Sequence, residues 1–223
     1  MDPRAVVDRL LADPPRVHAE LNAPPEHGVW LTERGCYELM AGLVAPGVRT
    51  LETGLGVSTA LFLALGADHT CVVPSQPQVD ELRRYCDGHG IPTAALHVEL
   101  GRSEDVLPLL HIDAVDLVFV DGSHGFPTPM IDWFYGARLL RRGGVAVLDD
   151  RQLPAVATVV DYLDADPRWR GLAQTSKWAA FERLTDGPLA EDWYDQPFYA
   201  RNEGVRAALA RAWRSRWGRR LFP

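Results

Sequence analysis

Apolar runs of strand length alternate with amphipathic stretches through the middle of the chain. A buried strand is predicted at residues 50–53, and apolar runs lie at residues 70–74, 93–98, 115–120 and 145–148. Between them, apolar positions recur at helical spacing in residues 58–65, 79–86, 103–109 and 129–140. Strands that alternate with helices predict a mostly parallel sheet with helices on both faces. Right-handed crossovers then bring the carboxyl ends of the strands to one edge, where such sheets bind ligands.

The N-terminal segment departs from this alternation. Residues 1–28 combine a short helical pattern with two Pro-Pro stretches, which is typical of either a tether or a lid over a site. Residues 31–44 predict a helix, with Thr32 as its candidate N-cap and Glu33 in its first turn. We therefore predict an N-terminal helical and proline-rich cap over residues 1–44.

The alternation also stops toward the C-terminus. One further helix is predicted at residues 154–163, and an antiparallel hairpin is predicted from residues 169–174 and 178–183. These elements complete a predicted α/β domain over residues 45–184. The last segment, residues 185–223, is rich in Arg and Trp. Its pattern fits a surface helix packed on the body, or a basic helix that contacts a partner or RNA.

Composition narrows the class of protein. The 223 residues carry a formal net charge of −7 and are 47% hydrophobic, which suits one sizeable core. The negative charge argues against general binding to nucleic acid or anionic membranes, since both need a broad cationic field. No apolar run approaches the roughly 18 residues of a membrane helix, and the N-terminus lacks a secretion signal pattern. The three cysteines form no metal-type pair. We therefore expect a cytoplasmic protein with buried thiols.

A glycine turn follows the first apolar run, where residues 52–59 read ETGLGVST. Glycine at positions 54 and 56 permits a positive φ and a close backbone approach that a Cβ would block. A hydroxyl at Ser58 or Thr59 suits the start of a helix, because it can satisfy free amide groups. A helix N-terminus beside a bare turn favours an anionic group such as a phosphate or carboxylate. The alternative is an ordinary strand-to-helix turn without a ligand.

Four acidic residues fall where predicted strands end, namely Glu52, Asp121, Asp149 and Asp150. Carboxylates at one edge repel one another unless a cation, a proton or a basic side chain intervenes. Oxygen ligands without a nearby cysteine favour a hard ion, with Mg²⁺ first and Ca²⁺ or Mn²⁺ next. In the alternative interpretation the residues are structural: Asp121 caps a turn, Asp149 faces solvent and Asp150 pairs with Arg151.

His124 lies in a glycine-rich loop three residues after Asp121. An imidazole titrates near neutral pH, so it can accept a proton from a substrate hydroxyl whose pKa is lowered by a metal. His69, His97 and His111 have no comparable acidic neighbours in the predicted arrangement, and we interpret them as structural.

Two segments of the chain resemble a known family. The turn ETGLGVST resembles the first motif of class I S-adenosylmethionine-dependent methyltransferases. Residues 116–124, DLVFVDGSH, and residues 140–150, LRRGGVAVLDD, resemble the subgroup that contains macrolide sugar O-methyltransferases and cephalosporin-hydroxylase-like proteins. The resemblance covers residues 45–150. It implies a Rossmann-like, doubly wound, mostly parallel seven-stranded sheet, which agrees with the predicted C-terminal hairpin.

The resemblance also implies roles for individual residues. Asp121, Asp149 and Asp150 would be Mg²⁺ ligands, and His124 would be the general base that deprotonates an acceptor hydroxyl. The remaining implied residues would bind S-adenosylmethionine: Glu52, Gly54 and Gly56 at its methionine end, Ser103 with Glu104 or Asp105 near its adenine, and Thr53, Ser58 and Asp121 completing the site. The chain would align the acceptor oxygen with the methyl group and exclude water.

One position departs from the family pattern. Family members usually carry an acidic residue at the end of the second strand, which accepts hydrogen bonds from the cofactor ribose. Here the segment is VVPSQP, and Pro74 stands at that position. Ser75 or Gln76 would replace the acid with a neutral hydrogen bond, which is weaker than a charge-assisted bond.

The sequence therefore predicts a metal-assisted O-methyltransferase that acts on a small-molecule hydroxyl and has neither nucleic acid nor a membrane as its partner. A homo-oligomer is an open possibility. A rival hypothesis is a methyltransferase fold that binds a ligand without catalysis, motivated by Pro74 and the Arg-rich C-terminal segment. A third hypothesis is an NAD-dependent dehydrogenase. It is weaker than the other two, because the turn lacks the third glycine of G-x-G-x-x-G.

Overall fold

A seven-stranded sheet forms the centre of the molecule. The structure is a computed structural model that describes residues 2–18, 29–186 and 196–198. The strands are β1 (Arg49–Thr53), β2 (Asp68–Val73), β3 (Leu96–Leu100), β4 (Val115–Val120), β5 (Leu140–Leu148), β6 (Trp169–Gln174) and β7 (Ala179–Arg183). Their order across the sheet is β3-β2-β1-β4-β5-β7-β6.

Helices connect the strands in the predicted alternation. They are α1 (Pro3–Ala12), α2 (Arg34–Leu43), α3 (Val57–Ala64), α4 (Gln76–Gly88), α5 (Ser103–Val106), α6 (Thr128–Leu139) and α7 (Pro154–Ala165), and a single 3₁₀ turn (Leu107–Leu109) follows α5. None of the helices within the described ranges has both the length and the apolar character that a bilayer crossing requires.

The pairing of the strands confirms the predicted fold class. Strands β1 to β5 pair in parallel, and β7 joins β5 and β6 in antiparallel fashion. The strand order reverses between β1 and β4, so the crevice of a doubly wound sheet opens at their carboxyl ends. We call this side of the molecule the carboxyl edge.

Two apolar cores cover the two faces of the sheet. One core contains Phe62 and Phe119 together with α1, α2 and α3, and the other contains Leu51 and Phe181 together with α6 and α7. All four of these side chains are fully buried. Burial on both faces explains why β4 reads as a nearly continuous apolar run in the sequence. The three cysteines are free and buried, as expected.

The predicted helix cap at Thr32 is wrong, because Glu33 occupies the N-cap position of α2. Ser103, the first residue of α5, does not cap its helix either, because Arg102 occupies that position. The hydroxyl of Thr32 instead donates to Asp149, at 2.5 Å. The side chain of Ser103 hydrogen-bonds with Asp132 of α6. In both cases a buried carboxylate on another element attracts the hydroxyl more strongly than the local helix terminus does.

Two strand boundaries also differ from the prediction. Residues 93–95 do not belong to β3, because the Leu96 amide donates to the Thr93 carbonyl at 3.1 Å and closes a turn there. Strand β5 begins at Leu140, earlier than the predicted residue 145, because Leu140 pairs with Val115 before a bulge. Residues 141–144 continue the strand, but they lack apolar side chains and therefore do not appear in the apolar pattern of the sequence.

The predicted terminal segments are described only in part. Residues 19–28 of the predicted cap and most of the predicted extension, residues 187–195 and 199–223, lie outside the described residues. The division of the chain at residues 44 and 184 remains a prediction.

Candidate active site

The glycine turn joins β1 to α3 at the carboxyl edge. Gly54 has a φ of +111°, and a Cβ built on it would lie 2.4 Å from the backbone oxygen of Asp121. A side chain is therefore excluded on both conformational and steric grounds. Gly56 is extended, at φ 177°, and forms the N-cap of α3. No atom lies within 4 Å of the position of its missing Cβ, so this side of the turn is open to a ligand.

The Glu52 side chain lies beneath the turn and is fully buried. Ser58 donates a hydrogen bond to its Oε1, and Thr59 donates to its Oε2 at 2.7 Å. Thr59 Oγ1 in turn accepts the amide of Gly56 at 2.9 Å, as predicted for a hydroxyl at the start of this helix. His69 Nε2 lies 3.3 Å from Glu52 Oε2. The carboxyl group thus ties the turn to α3 and β2, and it does not face the open side where a ligand would lie.

The acidic cluster, which we define as Asp121, Asp149 and Asp150, lies at the adjacent ends of β4 and β5. Asp121 begins the loop after β4, and its amide donates to Thr53 O at 3.1 Å. Asp150 follows β5 with a φ of 54°, in the left-handed region. Consecutive residues of a strand point to opposite faces, but Asp149 and Asp150 both reach the ammonium group of Lys177. The left-handed turn therefore brings two successive carboxylates to one site.

The three carboxylates of the acidic cluster differ in how far neighbouring groups balance their negative charge. Asp149 accepts from Thr32 at 2.5 Å and lies 3.2 Å from Lys177 Nζ, yet burial still raises its pKa. Burial also acts to raise the pKa of Asp150, but hydrogen bonds from Lys177 and Gln152 outweigh it and hold the pKa below its usual value. For Asp121, burial and the neighbouring carboxylates raise the pKa well above its ordinary range. The cluster therefore carries more negative charge than its partners balance.

His124 lies beside these carboxylates. Its Nε2 atom is 3.0 Å from Asp150 Oδ2 and 3.8 Å from Asp121 Oδ1. Burial lowers the pKa of His124, although the charges of Asp150 and Asp149 oppose that shift. A lowered pKa leaves the imidazole neutral at pH 7, which is the form that accepts a proton.

The residues that converge as possible metal ligands differ from the predicted set. One ligand atom from each of Asp121, His124 and Asp150 lies within 4.8 Å of the others. Two carboxylates and an imidazole can hold Mg²⁺ or Mn²⁺, so the donor chemistry fits a divalent cation. Asp149 is not part of this group, and Thr32 and Lys177 contact its two oxygens.

The two residues predicted to contact the cofactor ribose, Ser75 and Gln76, lie just after the end of β2, next to Pro74. Ser75 is the N-cap of α4, and its hydroxyl oxygen accepts the amide of Gln78 at 3.5 Å. The side chain of Gln76 donates to Asp80 at 2.8 Å. Both neutral side chains thus have local partners, and the described structure places no carboxylate directly after β2.

The predicted adenine residues lie at the start of α5. Glu104 pairs with Arg102 at 2.5 Å, while Asp105 is exposed. Ser103 faces Asp132, whose Oδ2 also accepts a hydrogen bond from Thr53 at 2.9 Å. Two of the predicted cofactor residues are therefore joined through Asp132.

Sequence reasoning missed Asp132, Lys177 and the role of Thr32. Asp132 is 1% exposed, its Oδ1 has no hydrogen-bond partner, and burial raises its pKa to about 6. An acidic residue among the apolar positions of a predicted helix is a local signal that could have revealed it. Lys177 had a weaker signal as the sole lysine of the chain, and Thr32 had none.

A separate cavity of about 280 Å³ opens near the opposite ends of the strands. Arg49, Asp68, His97 and Asp113 are among its lining residues. Arg49 pairs with Asp113 and His97 pairs with Asp68, each at 2.8 Å. These ion pairs are largely exposed, and the cavity contains none of the residues predicted to bind the cofactor or metal or to act in catalysis.

Comparison with known proteins finds a family match over part of the chain. Residues 51–151 match the family model Methyltransf_24, described as a methyltransferase domain. No curated protein matches the sequence. The matched segment runs from β1 to just past β5 and contains both the glycine turn and the acidic cluster.

Solved structures with the same fold include several O-methyltransferases. TomG from Streptomyces achromogenes, solved with SAM, has a TM-score of 0.62 and 17% identity, over 83% of this chain and 91% of that chain. The O-methyltransferase from Bacillus cereus, solved with SAH, has a TM-score of 0.60 and 18% identity, over 80% and 91%. A putative O-methyltransferase from Klebsiella pneumoniae has a TM-score of 0.63 and 18% identity, over 81% and 90%.

These findings bear on the broad alternatives drawn from the sequence. The family match does not favour a nicotinamide dehydrogenase, and the fold agrees with the resemblance seen in the motifs. Residues 51–151 match a methyltransferase-domain family, and the chain has the fold of the methyltransferases solved with SAM or SAH.

Proposed function

We propose that this chain transfers a methyl group from S-adenosylmethionine to a hydroxyl oxygen of a small molecule. The observation that carries the proposal is the position of His124. A neutral imidazole lies 3.0 Å from a carboxylate that can stabilise its protonated form, at the edge of the sheet where the glycine turn also lies. Such a pair suits removal of a proton from an acceptor hydroxyl.

The glycine turn fits the cofactor. A Cβ at Gly54 would collide with the Asp121 backbone, and the side of the turn around Gly56 is open. The turn is held from below by Glu52, so it offers a rigid backbone surface with free amides at the start of α3. S-adenosylmethionine would supply an activated methyl group on a sulfonium, whose positive charge suits the excess negative charge at Asp121.

His124 would act as the general base. Nε2, the ring nitrogen that faces the carboxylates, would carry the ring proton and donate it in a hydrogen bond to Asp150. Nδ1 would then accept the proton of the acceptor hydroxyl, and Asp150 would stabilise the imidazolium. A nitrogen that holds a proton cannot coordinate a metal at the same time. We therefore assign His124 to proton transfer and assign metal binding to carboxylates.

Asp121 and Asp150 would hold a divalent cation, with Asp149 as the third ligand that the family resemblance implies. Asp121 fits this role because the described structure gives its carboxylate no cation at ion-pair distance other than His124. A bound divalent cation would orient the acceptor oxygen and lower the pKa of its hydroxyl. The chain's own contribution is to fix the carboxylates through Thr32 and the left-handed turn at Asp150.

Calorimetric titration with S-adenosylmethionine, with and without Mg²⁺, tests the cofactor assignment without knowledge of the acceptor. We expect a dissociation constant in the micromolar range. Absence of binding at millimolar cofactor in both conditions would overturn the proposal and favour a fold that has lost catalysis. Binding would justify a screen of hydroxylated acceptors, followed by release of S-adenosylhomocysteine.

The variant His124→Ala tests the base. We expect turnover to fall by about 10²- to 10⁴-fold, which is the usual contribution of a general base. S-adenosylmethionine and Mn²⁺ should still bind with nearly unchanged affinity. Loss of Mn²⁺ affinity would show instead that His124 is a metal ligand, and unchanged turnover would remove it from the mechanism. His111→Ala is the matched control, because His111 is exposed and contacts only a local carbonyl.

A further inference from the structure

Lys177 is the only lysine of the chain, and it lies in the acidic cluster. Its Nζ is 3.2 Å from Asp149 Oδ2 and donates a hydrogen bond to Asp150 Oδ1. The side chain comes from the turn between β6 and β7, which is the antiparallel end of the sheet. Neither the sequence motifs nor the family match, which ends at residue 151, includes it.

The backbone around Lys177 is firmly held. Thr175 Oγ1 accepts the amide of Lys177 at 3.1 Å and the amide of Trp178 at 3.2 Å. The carbonyl of Lys177 accepts the amide of Arg151 at 2.8 Å. Arg151 also donates to Thr175 O at 3.0 Å. The hairpin turn is thus attached to the segment just after the acidic cluster, and the lysine side chain starts from a fixed point.

The carboxylate oxygens of Asp149 and Asp150 all have partners. On Asp149, Thr32 binds Oδ1 and Lys177 lies beside Oδ2. On Asp150, Lys177 and Gln152 bind Oδ1 and His124 lies beside Oδ2. The ammonium group is therefore the cation that bridges these two residues. A divalent ion that bridged the same two carboxylates would have to take the place of that ammonium, because two cations cannot share one position.

We propose that Lys177 is an internal competitor for the metal, and that its ammonium group leaves the carboxylates of Asp149 and Asp150 when a divalent cation binds to them. The inference rests on the metal-assisted reaction proposed above. It assigns Lys177 as a positioning residue that keeps the two carboxylates together before the ion arrives. The ion must replace a bound ammonium and not merely enter an open site, so Lys177 weakens metal affinity.

Mn²⁺ titration of wild type and Lys177→Met by calorimetry tests the competition. We expect the variant to bind Mn²⁺ about tenfold more tightly or better, since it has one more net negative charge and no ammonium to displace. The matched control is Arg170→Met, which removes a cation from β6 of the same hairpin. Arg170 pairs with Glu182, away from the cluster, so its loss should leave Mn²⁺ affinity unchanged.

Amine acetylation of the wild-type protein tests displacement directly. Lys177 is the sole side-chain amine, so mass spectrometry can follow its reaction, with the N-terminal amine as internal reference. We expect acetylation of Lys177 to become several-fold faster as Mn²⁺ or Mg²⁺ saturates the site. This measurement needs no variant, and it therefore remains informative if Lys177→Met folds poorly.

Three results would overturn the proposal. They are an unchanged or weaker Mn²⁺ affinity in Lys177→Met, an acetylation rate that stays constant or falls while Mn²⁺ binds, and no Mn²⁺ binding by either protein. The last result would leave the methyltransferase assignment to be judged separately, because that assignment depends on the binding of S-adenosylmethionine.

Discussion

Two carboxyl groups at the carboxyl edge, those of Glu52 and Asp121, have opposite environments. Glu52 lies in β1, one residue before its end, and Asp121 directly follows the neighbouring parallel strand β4. Both have a histidine nearby. Glu52 is fully buried, and two hydroxyls donate to it. Asp121 is about a third exposed, at 32% of its side chain, and in the described structure its one ion-pair contact is His124, at 3.8 Å.

This difference distinguishes a carboxyl group that supports the backbone from one that can take part in the reaction. A carboxyl group with all its partners in place stabilises the local backbone and has little capacity left for a ligand. An acidic residue with a strongly raised pKa and few partners destabilises the fold, and such residues are concentrated at functional sites. We therefore assign Glu52 to the support of the glycine turn and Asp121 to the reacting centre.

The largest expected effect comes from removing the supporting carboxyl group. Glu52→Ala would leave the hydroxyls of Ser58 and Thr59 without their shared acceptor in a fully buried site. We expect the free energy of unfolding to fall by about 3–5 kcal/mol, because two buried donors would lose their acceptor. Urea unfolding measures it, with Asp113→Ala as control, because Asp113 makes an exposed ion pair worth about 1 kcal/mol or less. A loss no larger than that of the control would contradict the supporting role.

Asp132 is buried like Glu52 and has a raised pKa like Asp121. This raised pKa should appear in the pH dependence of the free energy of unfolding. Burial raises its pKa from 3.8 to about 6 in the folded protein. The folded state therefore favours the protonated form, so its stabilising contribution is complete below pH 4 and is lost as pH rises through about 6. That loss amounts to roughly 3 kcal/mol at about 1.4 kcal/mol per unit.

Asp132→Asn would remove this dependence. An amide can still accept hydrogen bonds from Thr53 and Ser103 but does not ionise. Relative to wild type, the variant should gain roughly 3 kcal/mol of unfolding free energy between pH 4 and pH 7. Unfolding curves at several pH values measure the difference. A difference that stays constant with pH would show that Asp132 has an ordinary pKa.

Asp121→Asn should stabilise the protein while it impairs function. The pKa of Asp121 is raised, so its contribution to stability is lost as pH increases and is unfavourable at pH 7. Removing the charge should increase stability by about 1 kcal/mol, or about 2–4 °C in the melting temperature of a chain of this size. Mn²⁺ affinity and turnover should both decrease. A destabilised variant would place Asp121 with Glu52 among the supporting residues.

The smallest expected effect is at the end of β2, where the usual acid is missing. Ser75→Ala removes the N-cap hydroxyl of α4 and should cost about 0.5–1 kcal/mol of stability. Because this hydroxyl has a local partner, and a neutral hydrogen bond contributes about 1 kcal/mol at most here, we expect the dissociation constant of S-adenosylmethionine to rise by less than about fivefold. Weakening beyond tenfold, measured by calorimetry, would instead identify Ser75 as the ribose contact.

The sequence was sufficient for the fold because the relevant signals are local. A nearly continuous apolar run marked β4, and Trp169–Gln174 and the following strand were expected as the hairpin that closes the sheet. The glycine turn was also predictable, since a strand that must reverse sharply needs the conformational freedom of Gly54. Boundaries were less accurate where polar residues continue a strand, as in residues 141–144.

The site was only partly predictable, because its contacts join distant parts of the chain. Asp121, Asp149 and Asp150 were expected at one edge from the strand order alone. Thr32 reaches Asp149 across 117 positions of sequence, and Lys177 arrives from the last hairpin. No spacing rule encodes such contacts. A hydroxyl before a helix is more often a cap, so local reasoning assigned Thr32 to the wrong partner.

The backbone at Asp150 limits which residues evolution can place there. With φ at 54°, the position suits Gly, Asn and Asp, whereas a β-branched residue would cost about 1–2 kcal/mol before its chemistry is considered. Of the three tolerated residues, only Asp carries a charge. A lineage that abandons catalysis can therefore exchange Asp150 for Asn or Gly without disturbing the fold, so active and inactive descendants would share one architecture and differ at this position by a single side chain.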